Sequence, residues 1–198
     1  GRFADPANWK GLRCMVTNSG IRGTTGYFLG RALAQMGLTL DDVTIQKAES
    51  AIHEEALRSG QVDLVMGLEP WITRATAQGD IGILMPIEPL VEGLQSSAVV
   101  FSEATMNRPD VAQRFAVAYM QAVRRYAEGA TPRNVEIVAE FTGLEPDLVR
   151  RMCWSYTPVD GHINGESLVN YQGWLLEQGL IDRVLPADEF IDTRFADE

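Results

Sequence analysis

Apolar and polar positions along the first half of the chain switch between a period of two and a period near 3.6. RCMVT (residues 13–17) is a short run of strand type that leads into the glycine-studded TNSGIRGTTGY. Beyond it Leu29, Ala32, Leu33 and Met36 recur at the spacing of a helix that buries one stripe on a sheet, and Gly37 ends the pattern. VTIQK (43–47) predicts a second strand. Ser50 is placed to cap the following helix, AIHEEALR, which Gly60 stops. VDLVM (62–66) is the most apolar of these runs and predicts a third strand at the centre of the sheet. Glu69-Pro70-Trp71 opens a third helix running to Gly79, and IGILM (81–85) predicts a fourth strand. The order βαβαβαβ with short links predicts an α/β unit built on a mainly parallel sheet with right-handed crossovers.

The pattern changes after residue 85. MPIEPLVEG is broken by prolines and a glycine, and LQSSAVVF then reads as an extended strand that carries the chain out of this sheet. Everything beyond it is helical in period. Pro109 sits at the first-turn position of a long helix with Val111, Phe115, Ala118, Ala122 and Tyr126 along one side. Thr131-Pro132 opens another helix, Glu145-Pro146 a third that ends near Pro158, and Glu166 to about Gln178 a fourth; the tail from Leu185 is irregular. These helices have apolar faces but no second sheet to cover. Two arrangements fit: a small self-contained bundle, or the helical coat of a sheet whose strands lie outside this chain. The domain division expected is 1–95 and 96–198.

Composition narrows the function classes. The 198 residues are 45% hydrophobic and 22% charged, ordinary for a soluble globular protein. A net charge of -10 argues against nucleic acid as a partner, because a polyanion needs a basic face. No apolar run approaches the roughly 18 residues needed to span a bilayer, so no membrane span is expected. The opening GRFADPANWKG lacks the pattern of a signal peptide. Cys14 and Cys153 lie far apart and in no CxxC pair; a long-range disulfide stays open, but two buried free thiols are the preferred reading, since pairing needs their Cα atoms within about 7 Å. With only two histidines, also far apart, neither a metal site nor a cofactor is expected.

Candidate chemistry gathers where a parallel sheet binds ligands, beyond the carboxyl ends of its strands. The loop after the first strand is in that place. Its glycines let backbone approach a ligand, and Asn18, Ser19, Thr24 and Thr25 supply amide and hydroxyl groups next to a helix N-terminus that suits an anion. The simpler reading is that Thr24 caps the helix and the glycines only shape a turn. The loop matches neither the Walker A pattern nor GxGxxG. LEPWITRA (68–75) also follows a strand. Glu69 there suits a helix start, and Trp71 can stack on a flat ligand. Catalysis finds less support: HEEAL is not HExxH, no GxSxG is present, His53 is read as solvated on a helix flank, and His162 as a turn residue in DGHING. Glu54-Glu55 and Asp41-Asp42 read as solvated faces.

The run NWKGLRCMVTNSGIRGTTGYFLGRALAQMGLTLDDVTI, with ALRSGQVDLVMGLEPWITRA after it, resembles the substrate-binding proteins of ABC importers. Within that group it is most similar to the family for nitrate, taurine, alkanesulfonates and thiamine pyrimidine precursors. SSAVVFSEATMNRPDVAQRFAVAYMQAV and the later DTRF resemble the same family's return to its first lobe. The resemblance implies a two-lobed, type II periplasmic binding fold that closes on its ligand. It implies that Asn18, Ser19, Thr24 and Thr25 line the second lobe's half of the cleft, with Glu69 and Trp71 beside them and Ser97 near the interlobe crossover. Arg22 departs from the family pattern and is expected as an extra anion anchor. Members also carry a segment ahead of the NWKG stretch that holds most of the first lobe's sheet. On this resemblance the chain is one complete mainly parallel βαβ lobe plus a helical remnant of the other, expected to bind ligand poorly by itself.

The function implied is capture of a small organic or anionic solute, without chemistry, and its delivery to a membrane-bound ABC permease in the periplasm or another extracytoplasmic compartment. A ligand-sensing domain of a regulatory or signalling protein is the alternative. A pyrimidine-precursor synthase-like enzyme is a third reading, for which Cys14 and Cys153 cannot supply the cysteine-rich motif.

Overall fold

β1 (Arg13–Val16), β2 (Thr44–Lys47) and β3 (Leu64–Val65) form a parallel sheet in the order β2-β1-β3 in the computed structural model, which describes residues 5–195. The chain divides into two compact units, Gly1–Glu92 and Gly93–Glu198. In the first unit, β1 is central and its side chains leave alternately to the two faces. Cys14 and Val16 pack with Leu29 and Leu33 of α1 (Thr24–Gln35), together with Trp9, Leu12 and Leu38. Met15 packs on the opposite side with Ala48, Val62 and Ala56 of α2 (His53–Arg58). The helices therefore cover opposite faces, as right-handed crossovers from parallel strands require. The ladder pairs Arg13 with Thr44 through Val16 with Lys47, and Cys14 and Met15 with Leu64 and Val65.

Three strand expectations are corrected. VDLVM is at the sheet's edge rather than its centre; β3 is two residues long, and Val62 reaches the core from just outside it. An apolar run reports burial, and this edge run packs on both faces, Leu64 and Met66 against the cluster of α1 and Val62 and Val65 in the cluster of α2. IGILM forms no strand: Ile83 is 67% exposed, and only Met85 packs against the core. LQSSAVVF is not a strand either, and Val100 is 86% exposed. Among the described residues the second unit contains no strand, so its backbone has no edge there to pair with.

Charged groups fasten the first unit. Asp63 accepts from the backbone N–H of Arg13 at 2.9 Å and from its guanidinium at 3.0 and 2.9 Å, clamping the starts of β1 and β3. Glu54, expected to be solvated, lies largely buried between two arginines, 3.1 Å from Arg58 Nε and 2.7 Å from Arg74 Nε. Arg74 belongs to α3 (Trp71–Thr76) and also donates to the Ala51 carbonyl at 2.7 Å, while Arg58 reaches Asp80 and the Ala75 carbonyl. Ser50 does not cap α2; it starts a 3-10 turn, Ser50–Ile52, that runs straight into the helix.

The second unit consists of α4 (Glu103–Met106), α5 (Pro109–Tyr126), α6 (Pro132–Thr142), α7 (Pro146–Arg151) and α8 (Gly165–Glu177). Side chains close the helix starts: Ser102 accepts from Thr105 N–H, Thr131 from Asn134 N–H and Asn164 from Ser167 N–H. Proline occupies the first turn of α5, α6 and α7. Val135, Val149 and Met152 form the buried cluster between α6 and α7. Met152 turns to extended backbone to enter that cluster, which is why α7 stops at Arg151 and not near Pro158. The stripe expected to be buried on α5 is displaced: Ala112 and Val123 are buried, whereas Phe115, Ala118 and Ala122 are exposed.

Candidate functional site

The loop after β1 is held by its own hydroxyls. Thr25, only 2% exposed, accepts from the Thr17 backbone N–H at 3.1 Å, and its Oγ1 lies 2.8 Å from Thr17 Oγ1. Ser19 Oγ continues the chain at 3.2 Å from Thr17 Oγ1. Residues Gly20–Arg22 form a 3-10 turn that packs on the first turn of α1. The helix cap is Gly23, not Thr24, and it offers no side chain to the helix. Gly26 is required by closeness: a Cβ there would meet Ile21 Cα at 2.4 Å, Ile21 O at 2.6 Å and Gly20 O at 2.7 Å. Gly20 is required by its backbone conformation. Its φ is +65°, and a Cβ would lie 2.8 Å from Lys47 Cδ, so the missing side chain seats the Lys47 stem.

Between this loop and the end of β2 is a pocket of about 300 Å³ lined by Ser19, Gly20, Ile21, Arg22, Ile45 and Lys47. It stands at the carboxyl ends of two adjacent parallel strands, where α/β sheets bind ligands. The polar side chains on its wall are the Ser19 hydroxyl, the Arg22 guanidinium and the Lys47 ammonium. Ile21 and Ile45 supply an apolar floor. The arrangement can accept a small solute whose charged end faces the two cations.

The residues singled out from sequence are distributed unevenly around this pocket. Ser19 and Arg22 line it. Asn18 Nδ2 donates to Glu49 Oε1 and ties the loop after β1 to the segment after β2. Thr25 is spent on Thr17, and Thr24 is the first residue of α1. Glu69 accepts from the Thr73 N–H at 3.2 Å and its hydroxyl at 3.1 Å, so it closes the start of α3. Trp71 lies under the Arg74 guanidinium, 4.6 Å from its ring centroid. Neither Glu69 nor Trp71 lines the pocket. Ser97 is in the second unit, where its carbonyl accepts from the Gln95 side chain at 2.6 Å.

Lys47 and Ile45 are the residues that sequence reasoning missed. The signal was present: Lys47 ends VTIQK, and the rule that points to the residues after the first strand applies equally to the second. His53 was misplaced. It is 3% exposed beneath the ends of β1 and β2, with Nε2 3.3 Å from the Ala48 carbonyl and Nδ1 without a hydrogen-bond partner among the described residues. Burial lowers its pKa below the ordinary value of 6.5, against a smaller opposite pull from the carbonyls of Ala48 and Val16. The cysteines differ. Neither is in a disulfide among the described residues, but Cys14 is buried and Cys153 exposed, and desolvation, with a smaller contribution from Asp63, pushes the Cys14 thiol up to about 12.

Comparison with known proteins adds three findings. The model of a family described as the NMT1-like family matches residues 4–142. Curated proteins give no match. Among solved structures, the chain is similar to the alkanesulfonate-binding protein SsuA from Xanthomonas axonopodis pv. citri bound to MOPS, at 24% identity and a TM-score of 0.73. It covers 92% of this chain and 63% of that one, so this chain spans less than two thirds of that protein. It is also similar to the periplasmic aliphatic sulphonate binding protein SsuA from Escherichia coli, at 17% identity and a TM-score of 0.64, over 99% of this chain and 67% of that one. Likeness at these identities establishes a shared fold.

Proposed function

Because the chain belongs to the NMT1-like family and shares the periplasmic binding protein fold, we propose that it is the solute-binding component of an ABC importer. It captures a small organic or anionic solute in an extracytoplasmic compartment and hands it to a membrane permease. The observation that carries this reading is the pocket at the carboxyl ends of β1 and β2, walled by a loop that the Thr17–Thr25 hydrogen bonds and Gly26 hold in place. Binding sites of this kind are concave, largely pre-formed, and use a few fixed polar groups to orient a ligand. Residues 1–95 act as the ligand-binding lobe, and 96–198 belong to the other lobe. Ser19 and Arg22 contact the solute, and Glu69 and Trp71 form a second patch on the same edge of the sheet. Capture proceeds without bond making; the Cys14 thiol, held protonated by burial, is no nucleophile.

The test is a thermal-shift screen of the protein against sulfonates, nitrate, dicarboxylates and aminopyrimidines. A solute present at a hundredfold excess over its Kd stabilises the folded state by about 2.7 kcal/mol. A rise in Tm for one class, lost with Arg22→Ala, supports the reading. If no class raises Tm, even with the first-lobe segment that family members carry ahead of the NWKG stretch supplied, the solute-binding role falls.

A further inference from the structure

We propose that His53 is a positioning residue for the pocket: as a neutral ring it holds the ends of β1 and β2 together, and on taking a proton it lets them part. The consequence for capture, a pocket that loosens in acid, rests on the solute-binding reading.

The two walls of the pocket leave the sheet side by side. Lys47 is the last residue of β2 and is paired with Val16, after which the chain runs through Thr17 to the Ser19–Arg22 wall. Beyond that rung the strands are joined by the Ala48 N–H, which donates to the Val16 carbonyl at 3.1 Å. His53 is buried at the same place, with Nε2 3.3 Å from the Ala48 carbonyl, and the Val16 carbonyl also acts on its ring. One ring therefore engages a carbonyl from each of the two chain segments. A carbonyl only accepts, so Nε2 carries the hydrogen and Nδ1 is the bare nitrogen. Nδ1 is buried with no hydrogen-bond partner among the described residues. A proton there would bury both a charge and an N–H without an acceptor, and each is costly. The ring relieves that cost by moving out, and α2, six residues long and without a side-chain cap, is the element that gives way.

No carboxylate compensates the charge. The charged groups around the ring are Lys47 and Glu49 at the end of β2, Glu54, Glu55 and Arg58 on α2, and Arg74, which reaches Ala51 from α3. Arg13 and Asp63 pair with each other at the starts of β1 and β3. Glu49 is engaged by the Asn18 amide, and Glu54 by Arg58 and Arg74. None of these accounts for the lowered pKa of the ring, which burial causes against a smaller pull from the two carbonyls.

The test is an NMR titration of the full chain without added solute, from neutral pH into acid. It follows the His53 ring nitrogens, the amides of Ser19–Arg22 and Ile45–Lys47, and the protection of the Ala48 amide against hydrogen exchange. Both walls should shift with the ring's own midpoint, below 6.5. At neutral pH the Ala48 protection factor should fall about fivefold in His53→Leu, the loss of one hydrogen bond. The parent should reach that level once its ring is charged. His53→Gln keeps an N–H donor and does not titrate, so its protection should stay within about twofold of the neutral parent and show no step. Walls that stay still while the ring titrates, or an equal step in His53→Gln, overturn the proposal. A step shared by every amide of the first unit is unfolding of that unit and overturns it too. If a variant does not fold, the match or mismatch of ring and wall midpoints in the parent decides. A wall step that follows the ring, with no solute raising Tm, leaves the clamp standing and removes solute binding. A solute that raises Tm equally above and below the ring's midpoint, with no wall step, does the reverse.

Discussion

Replacing Gly26 by alanine should destabilise the first unit, although the same change in an open helix is stabilising. Gly26 is the third residue of α1, and helix propensity alone favours alanine there by about 1 kcal/mol. The added Cβ, however, would stand 2.4 Å from Ile21 Cα and 2.6 and 2.7 Å from the carbonyl oxygens of Ile21 and Gly20. Ordinary contact begins at about 3.5 Å, so the turn and the helix must separate by about 1 Å. All three obstacles are backbone atoms, which puts the strain near the upper end of the overpacking range, about 3 kcal/mol. The net expectation is a loss of about 2 kcal/mol. Gly173, inside α8, is the control: a Cβ there meets nothing within 4 Å, and Gly173→Ala should stabilise by about 0.5–1 kcal/mol. Native-state hydrogen exchange reads the two units separately. Amides of β1 should exchange about 30-fold faster in Gly26→Ala, the equivalent of 2 kcal/mol, while those of α8 slow in Gly173→Ala. Unchanged or slower β1 exchange in Gly26→Ala would refute the packing of the turn on the helix.

Three further predictions concern other buried groups. His53 is neutral in the folded protein with its pKa lowered by burial, so the unfolded chain takes the proton first as pH falls; stability should be level above 6.5, decline as pH drops below it, and level again once below the lowered folded value. Urea unfolding across this range should show the decline in the parent and a flatter profile in His53→Gln. Glu54→Gln leaves Arg58 and Arg74 without their shared carboxylate and should lower the urea midpoint by an amount equivalent to about 1–3 kcal/mol, whereas Asp110→Asn, breaking the exposed pair with Arg114, should change stability by about 0–1 kcal/mol. Under native conditions a maleimide should label Cys153 and spare Cys14, whose thiol is buried and held up to about 12; mass spectrometry of the labelled peptides distinguishes one adduct from two.

The sequence speaks clearly where local chemistry and tertiary packing agree. Leu29, Ala32 and Leu33 are at helical spacing and lie on the core, and Pro109, Pro132 and Pro146 open the helices they were expected to open. It is silent where a neighbour decides. Nothing in VDLVM tells an edge strand packed on both faces from a central one, and nothing in IGILM shows that no strand lies beside it. On α5 the aromatic residues outweigh Ala112 in any hydrophobic count, yet Ala112 is buried because it is small enough for close approach, and Phe115 is left exposed. The loop with Ser19 and Arg22 was legible from its glycines and its place after a strand. Lys47 carried only the positional signal of a strand end; its place in the pocket wall follows from the register that sets it beside Gly20. His53 failed for a similar reason: on a six-residue helix, one turn of sequence does not say which way the ring points.

The β1–β2 register has an evolutionary consequence. Its last rung joins a core residue, Val16, to a pocket residue, Lys47, so the hydrophobic ladder ends where the pocket wall begins. A slip of one residue would turn every β2 side chain to the other face, remove Ile45 from the cluster around α1 and bring Gln46 or Ala48 to the place of Lys47. Packing therefore guards the position of the cation while placing little demand on its identity. Substitution at that single rung can change the charge of the pocket wall and leave the frame standing.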